Sequence, residues 1–226
     1  SRSRGIRHEV RRQLDLVAAI GCTTSNERLS LRVPPAARQH IPPLLNTHGI
    51  DPTRPWVVLH PGATASSRRY PVEHMAAVAQ QLVGDNIQIV FTGTAPEAEL
   101  VAALQAQMHA PSCSLVGRLD LGELAALIEQ APLLIANNTG TVHIAAALGT
   151  PVVVLYALTN PQHTPWQTPQ RVLFHDVPCK YCYKSICPAG HHHCLRLVEP
   201  AAVVDAAHDL LAGVPASTMF PAEVLA

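Results

Sequence analysis

Aromatic side chains make up only 4% of this chain and charged ones only 14%, and the charges cancel to a formal net charge of zero. So balanced a chain lacks the basic footprint with which proteins grip nucleic acid, so no nucleic-acid partner is expected. Five arginines crowd residues 1–12, but Glu9 interrupts them and an amphipathic helix accounts for the pattern. The scarcity of aromatics argues for aliphatic helix-on-sheet packing over an aromatic-rich interface. No window holds the roughly 18 consecutive apolar residues of a membrane span. An initiating methionine and a signal-peptide pattern are lacking too, and the opening Ser1-Arg-Ser-Arg4 is what a fragment of something longer would show.

What is abundant is aliphatic. Hydrophobic residues are 48% of 226, enough for a sizeable buried core. Residues 5–20 carry Ile6, Val10, Leu14, Val17 and Ile20 at helical spacing, with Gly21 as a stop. Residues 29–33 read as a short strand, and the proline-rich stretch 34–55 as a linker or domain edge with a helical piece over 38–48. From Trp56 a rhythm begins. Apolar strands are expected at 56–59, 87–91, 114–116, 133–136 and 152–155. Helices are expected at 72–83, 96–108, 121–129, 141–148 and 203–211. Strands that are apolar throughout and alternate with helices indicate a parallel sheet covered on both faces, an α/β Rossmann-like fold.

The most informative run is Ile135-Ala-Asn-Asn-Thr-Gly-Thr-Val-His-Ile-Ala-Ala-Ala-Leu-Gly-Thr-Pro151. A strand end, a polar turn at 137–140 and an alanine-rich helix follow one another directly, with Gly149 and Pro151 as its stop. A helix N-terminus placed after a strand presents free N–H groups and a positive dipole end, which favours an anion and most often phosphate. His143, in the first turn, is expected to point into the same crevice. Ligands of such sheets bind at the carboxyl ends of the strands. The polar turns at 60–62, 92–94, 137–140 and 156–159 all fall there, so four turns converge on one rim.

Five motifs in order resemble the C-terminal half of glycosyltransferase family 9, the ADP-heptose:lipopolysaccharide heptosyltransferases. They are His60-Pro-Gly-Ala63, Arg68-Arg-Tyr-Pro71 for the family's Lys-x-Trp-Pro, and Thr92-Gly-Thr-Ala-Pro-Glu97. Asn138-Thr-Gly-Thr-Val-His143 stands for Asp-Ser/Thr-Gly-x-x-His, and Leu155-Tyr-Ala-Leu-Thr-Asn-Pro161 completes the set. The resemblance implies a GT-B architecture, two Rossmann-like domains facing across a cleft. Residues 55–226 would form the donor-binding domain and 1–54 the interdomain helix and linker. It implies an inverting transfer with no cofactor and no obligatory metal, from a nucleoside-diphosphate sugar such as ADP-heptose. The acceptor would be lipopolysaccharide core or a related bacterial surface glycan, in the cytoplasm with peripheral contact at the inner membrane's cytoplasmic face. The general base is expected in the other half, so this chain alone should bind donor without turnover.

By the same resemblance Arg68 takes the place of the lysine on the donor phosphates, where a fixed cation stabilises the departing diphosphate. Arg69 is its neighbour, and the plain alternative for both is a solvated loop arginine. Thr64, Ser66 and Ser67 offer hydroxyls to phosphate or are ordinary loop polarity. Glu97 matches an acid near the ribose, or is a glutamate favoured by a helix start. Asn138 replaces the family's usual aspartate beside the donor sugar, which leaves the sugar open. Thr139 and Gly140 would present a hydroxyl and an N–H to the diphosphate, and His143 would donate to phosphate or serve as a buried structural histidine.

Cys179, Cys182, Cys187 and Cys194, with His191-His-His193, concentrate soft ligands within residues 179–194. A tetrahedral zinc site needs four such ligands, yet the spacing is unlike a zinc ribbon, and metal, labile thiols and loop packing stay open. A non-enzymatic Cys/His metal-binding or interaction module is therefore the rival reading; a GT-B epimerase fits the motifs poorly. Cys22 and Cys113 read as small buried residues.

Overall fold

A computed structural model describes residues 7–214. Its centre is a six-stranded sheet of β1 (Trp56–His60), β2 (Gln88–Phe91), β3 (Cys113–Ser114), β4 (Leu134–Asn137), β5 (Val152–Leu155) and β6 (Gln170–Leu173). Every pairing is parallel, in the order β3-β2-β1-β4-β5-β6. β1, β4 and β5 are buried at every position, so the sheet needs cover on both sides. Alternate residues of each strand supply the two cores: Val58, Leu134 and Val152 face one way, Val57, Ile135 and Val153 the other. Among the described residues the α-helices are α1 (Glu9–Ala18), α2 (Pro35–Thr47), α3 (Val72–Gly84), α4 (Ala98–Met108), α5 (Leu121–Gln130), α6 (Gly140–Leu148), α7 (His193–Arg196) and α8 (Pro200–Leu211). Helices α2, α5 and α6 pack on the first face, and α3, α4 and α8 on the second. The Rossmann-like α/β architecture expected from the sequence is the one found.

Four local expectations need correction. Residues 29–33 form no strand, because Val33 is buried but Leu31 is 40% exposed, so the run lacks the continuous apolar face of this sheet's strands. Residues 170–173, for which no element was expected, form β6, in which Arg171 is 7% exposed and donates to Asp209 and to the Val214 carbonyl. Cys22 is exposed, since it follows α1, of which no residue is buried; Cys113 is buried as expected. The helix expected to begin at 5 is α1, starting at Glu9, and residues 5 and 6 lie outside the described residues.

The fourth concerns the proline-rich stretch. It holds α2, whose Ala37, Ile41 and Leu45 enter the same core as β1 and β4, so the packed unit reaches upstream of residue 55. Pro42 and Pro43 lie inside this helix, where a missing N–H ordinarily leaves a carbonyl one turn earlier without its partner. The carbonyl that Pro42 orphans, that of Arg38, instead accepts from Gln130 Nε2 of α5 at 3.1 Å. Arg38 adds a charged clasp to Glu129 on the same helix, with 2.5 and 2.6 Å contacts. Neighbouring side chains thus rescue a sequence that reads as a breaker.

Helix α1 is anchored at its start, and Arg11 adds an ion pair with Glu27 and a contact over the Trp166 ring. His8 is buried, its Nδ1 accepting from Val10 N–H at 3.2 Å, so Nε2 carries the proton and donates to the Thr164 carbonyl at 2.8 Å. The ring stacks on Trp166 with centroids 4.4 Å apart. Glu9 N–H donates to the Gln162 carbonyl at 2.9 Å, completing the anchorage.

If α2 belongs to the core, Ile41→Ala should cost about 2–5 kcal/mol in chemical denaturation; a loss below about 1 kcal/mol would mark α2 as peripheral. Burial is the largest influence on His8 and lowers its pKa below the ordinary histidine value. The unfolded chain therefore binds the proton more readily than the folded one. Its contribution is full above about pH 6.5 and is lost as pH falls through the depressed folded value. Amide exchange at Glu9 and Val10 should accelerate between about pH 7.5 and about pH 5 beyond its intrinsic pH trend, and unaltered protection would contradict the anchorage.

Candidate functional site

In this strand order the chain's direction of winding reverses between β1 and β4, and open α/β sheets bind ligands outside the carboxyl ends of the strands at that point. The crevice is built by the segments that leave β1, β2, β4 and β5, the four rim turns expected from the sequence. Asn137, the last residue of β4, is fully buried. Its Nδ2 donates to the Pro61 carbonyl at 2.6 Å, and its Oδ1 accepts from Tyr70 N–H at 3.0 Å. One side chain therefore clamps both ends of the loop that follows β1. Tyr70 is locked further by its hydroxyl, which donates to the Val198 carbonyl at 2.7 Å.

Within the clamped loop a single 3₁₀ turn, Ser66–Arg68, carries the main cation. Arg68 is half-buried, and its Nε is sealed from solvent with no hydrogen-bond partner. A buried donor left unpaired costs free energy, so this one is poised for an acceptor. Arg69 is placed differently, its Nε donating to the Ala63 carbonyl at 2.7 Å, which stiffens the loop. Thr64 and Ser66 are exposed, whereas Ser67 is buried and its hydroxyl donates to the Lys184 carbonyl at 2.9 Å.

Glu97 sits across from this loop. Its carboxylate accepts from Thr94 N–H at 2.7 Å and Thr94 Oγ1 at 2.9 Å, in a capping box. The same carboxylate fills the space beside Gly62 where a Cβ would stand, so a side chain at 62 would have to push Glu97 aside. His60, buried at the end of β1, places Nδ1 3.1 Å from Thr92 Oγ1. Burial lowers its pKa, and the nearby Glu97 charge offsets this only in part.

On the α6 side, Asn138 is buried and its side chain bonds the Tyr156 hydroxyl. That hydroxyl donates to the Asn160 carbonyl and accepts from His163 N–H at 3.3 Å. Burial pushes the Tyr156 phenol far up, against the opposing influence of Arg68 close by. Thr139 is the N-cap of α6 but makes no side-chain cap bond; its Oγ1 meets Thr141 Oγ1 at 2.9 Å. Gly140 is exposed, with open space where a Cβ would be. His143 is half-buried, and burial lowers its pKa first, then the proximity of His163 and His8. It thus faces the segment that follows β5 as a neutral ring.

Arg68 and Asn138 thus both lie near Tyr156, Thr139 and Gly140 follow Asn138 at the start of α6, and Glu97 lies against Gly62. Sequence reasoning missed Asn137, Tyr156 and Gly62 as site builders. A polar residue ending an otherwise apolar strand was the available signal for Asn137.

The cysteine-rich stretch covers one flank. Tyr181 N–H donates to the Leu158 carbonyl at 2.6 Å and Tyr183 N–H to the Thr159 carbonyl at 2.7 Å. Tyr181, Tyr183 and His192 hold φ values of 61°, 55° and 52°, uncommon for residues with side chains. Cys179, Cys182, Cys187 and Cys194 line a small cavity here with His191, and Cys179 Sγ lies 3.7 Å from His191 Nε2. Burial raises the Cys194 pKa, and the three other thiols raise it further. Among the described residues no group of three or more His, Cys, Asp or Glu is arranged to hold a metal ion.

Comparisons with known proteins agree with this architecture. The profile of Glycosyltransferase family 9 (heptosyltransferase) matches residues 3–193. Lipopolysaccharide heptosyltransferase 2 of Salmonella typhimurium is 31% identical over 164 residues, 70% of this chain and 47% of the relative. The enzyme of the same name from Escherichia coli K12 is 30% identical over 172 residues, 74% and 49% of the two chains. The crystal structure of the family 9 glycosyl transferase from Veillonella parvula superposes with a TM-score of 0.83 at 28% identity, over 92% of this chain and 60% of that one. Escherichia coli ADP-heptose lps heptosyltransferase II gives a TM-score of 0.66 at 27% identity, over 81% and 54%. The chain spans about half the length of the curated relatives it matches. With its fold, its ordered rim motifs and the profile match in agreement, the chain belongs to glycosyltransferase family 9.

Proposed function

We propose that this chain forms the donor-binding part of an inverting heptosyltransferase, which moves a heptose from ADP-heptose to lipopolysaccharide core. The observation that carries the reading is the sealed, unpartnered Nε of Arg68 at the switch-point crevice. Glycosyl transfer leaves a nucleoside diphosphate carrying a new negative charge, and a preorganised guanidinium favours that product-like state over the ground state. The uncapped start of α6 adds N–H groups and a dipole of the same sign. Glu97 lies where a ribose hydroxyl can donate to it, and Asn138 where its amide meets the sugar. An amide at that position supplies a hydrogen bond without a charge.

Relatives about twice as long support the view that the acceptor side and the general base lie in another part of the protein. The alternative of a non-enzymatic metal module finds no support in the arrangement of the cysteines. Among the described residues no helix is long and apolar enough to cross a membrane, which suits work at the cytoplasmic face of the inner membrane through peripheral contact.

Calorimetry with ADP and UDP tests the reading directly. ADP is expected to bind the folded chain, without sugar transfer by this chain alone, and absence of binding by both nucleotides would sink the proposal. Arg68→Ala removes a charge-assisted bond, so ADP affinity should fall roughly tenfold or more while the circular dichroism is retained. Unchanged affinity would take Arg68 out of the site.

A further inference from the structure

Ser67 precedes the phosphate-facing arginine, yet its hydroxyl is turned away from the crevice. Both of its hydrogen-bonding groups go to the cysteine-rich segment: Oγ donates to the Lys184 carbonyl at 2.9 Å, and N–H donates to the Ser185 carbonyl at 3.2 Å. Ser67 is 3% exposed. The same segment is fastened on its other side to Leu158 and Thr159, on the rim beyond β5, through the N–H groups of Tyr181 and Tyr183. Residues 181–185 therefore form a strap from the loop after β1 to the loop after β5. Four hydrogen bonds fix it, and the Ser66–Arg68 turn is its near anchor. Asn137 hydrogen-bonds the two ends of that loop, whereas the strap grips the turn within it at Ser67.

We infer that Ser67 is a positioning residue for the donor site, holding the Arg68 turn against the cysteine-rich strap instead of binding phosphate itself. This rests on the donor-site reading given above. The strap stiffens a guanidinium whose Nε lacks a protein partner, so the cation is aimed before the nucleotide arrives. By thermodynamic reciprocity, a bond that favours the binding-competent Arg68 must itself be favoured when the nucleotide binds.

A double-mutant cycle with ADP as ligand separates the roles. Ser67→Ala should weaken ADP binding roughly threefold to tenfold. Ser67→Ala/Arg68→Ala should bind no more weakly than Arg68→Ala, since a positioning effect vanishes with the group positioned. Additive losses would mean that Ser67 meets the ligand itself, and no loss in Ser67→Ala would mean that the strap is inert; either overturns the inference. If Arg68→Ala itself leaves ADP affinity unchanged, the donor-site reading falls first. A measurement without substitution guards against a misfolded variant: saturating ADP should slow amide exchange at Ser67, Tyr181 and Tyr183. Unchanged exchange at all three overturns the coupling.

Discussion

The buried amide of Asn137 is the contact on which the site depends. It lies at the last position of a central strand, and its donor and acceptor hold the beginning and the end of the loop after β1. Without it, the polar backbone at Pro61 and Tyr70 would be buried and unpaired, a cost of about 1–3 kcal/mol for each group. An aspartate would accept from Tyr70 but could not donate to Pro61, and a leucine could do neither. The sheet thus reaches into the crevice through one side chain, and the cation-bearing turn inherits the rigidity of the core.

Charge is scarce in this molecule, at 14% of residues. The buried His8 and His60 and the half-buried His143 are all held toward their neutral forms, with desolvation as the leading cause. Their lowered pKa values leave Arg68 and the start of α6 as the positive groups proposed for the ligand. Sparse surface charge and a concentrated local field suit a ligand that is itself strongly anionic.

Much of the fold was legible in the sequence, because strands that are apolar throughout, separated by amphipathic helices, have few ways to be buried. The order of the polar turns was legible for the same reason. What escaped were features that local patterns contradict. Pro42 and Pro43 made the stretch 34–55 read as a linker with a helical piece, when α2 in fact belongs to the core and Gln130 partners the carbonyl that Pro42 orphans. Arg171 interrupts the apolar run of β6, and its partners lie some 40 residues downstream. Of the candidate site, the residues proposed for the donor were readable as motifs. Ser67 looked like one of several equivalent loop hydroxyls, and only the position of the cysteine-rich segment distinguishes it from Thr64 and Ser66.

The contact between Gly62 and Glu97 carries a consequence on another scale. The carboxylate occupies the volume that any larger residue at 62 would claim, while it also caps the helix start beyond β2. The two positions are therefore coupled through space. A side chain gained at 62 would push the Glu97 carboxylate away from its bonds to Thr94, and a shorter residue at 97 would relax the demand for glycine at 62. The contact joins two loops 35 positions apart in sequence.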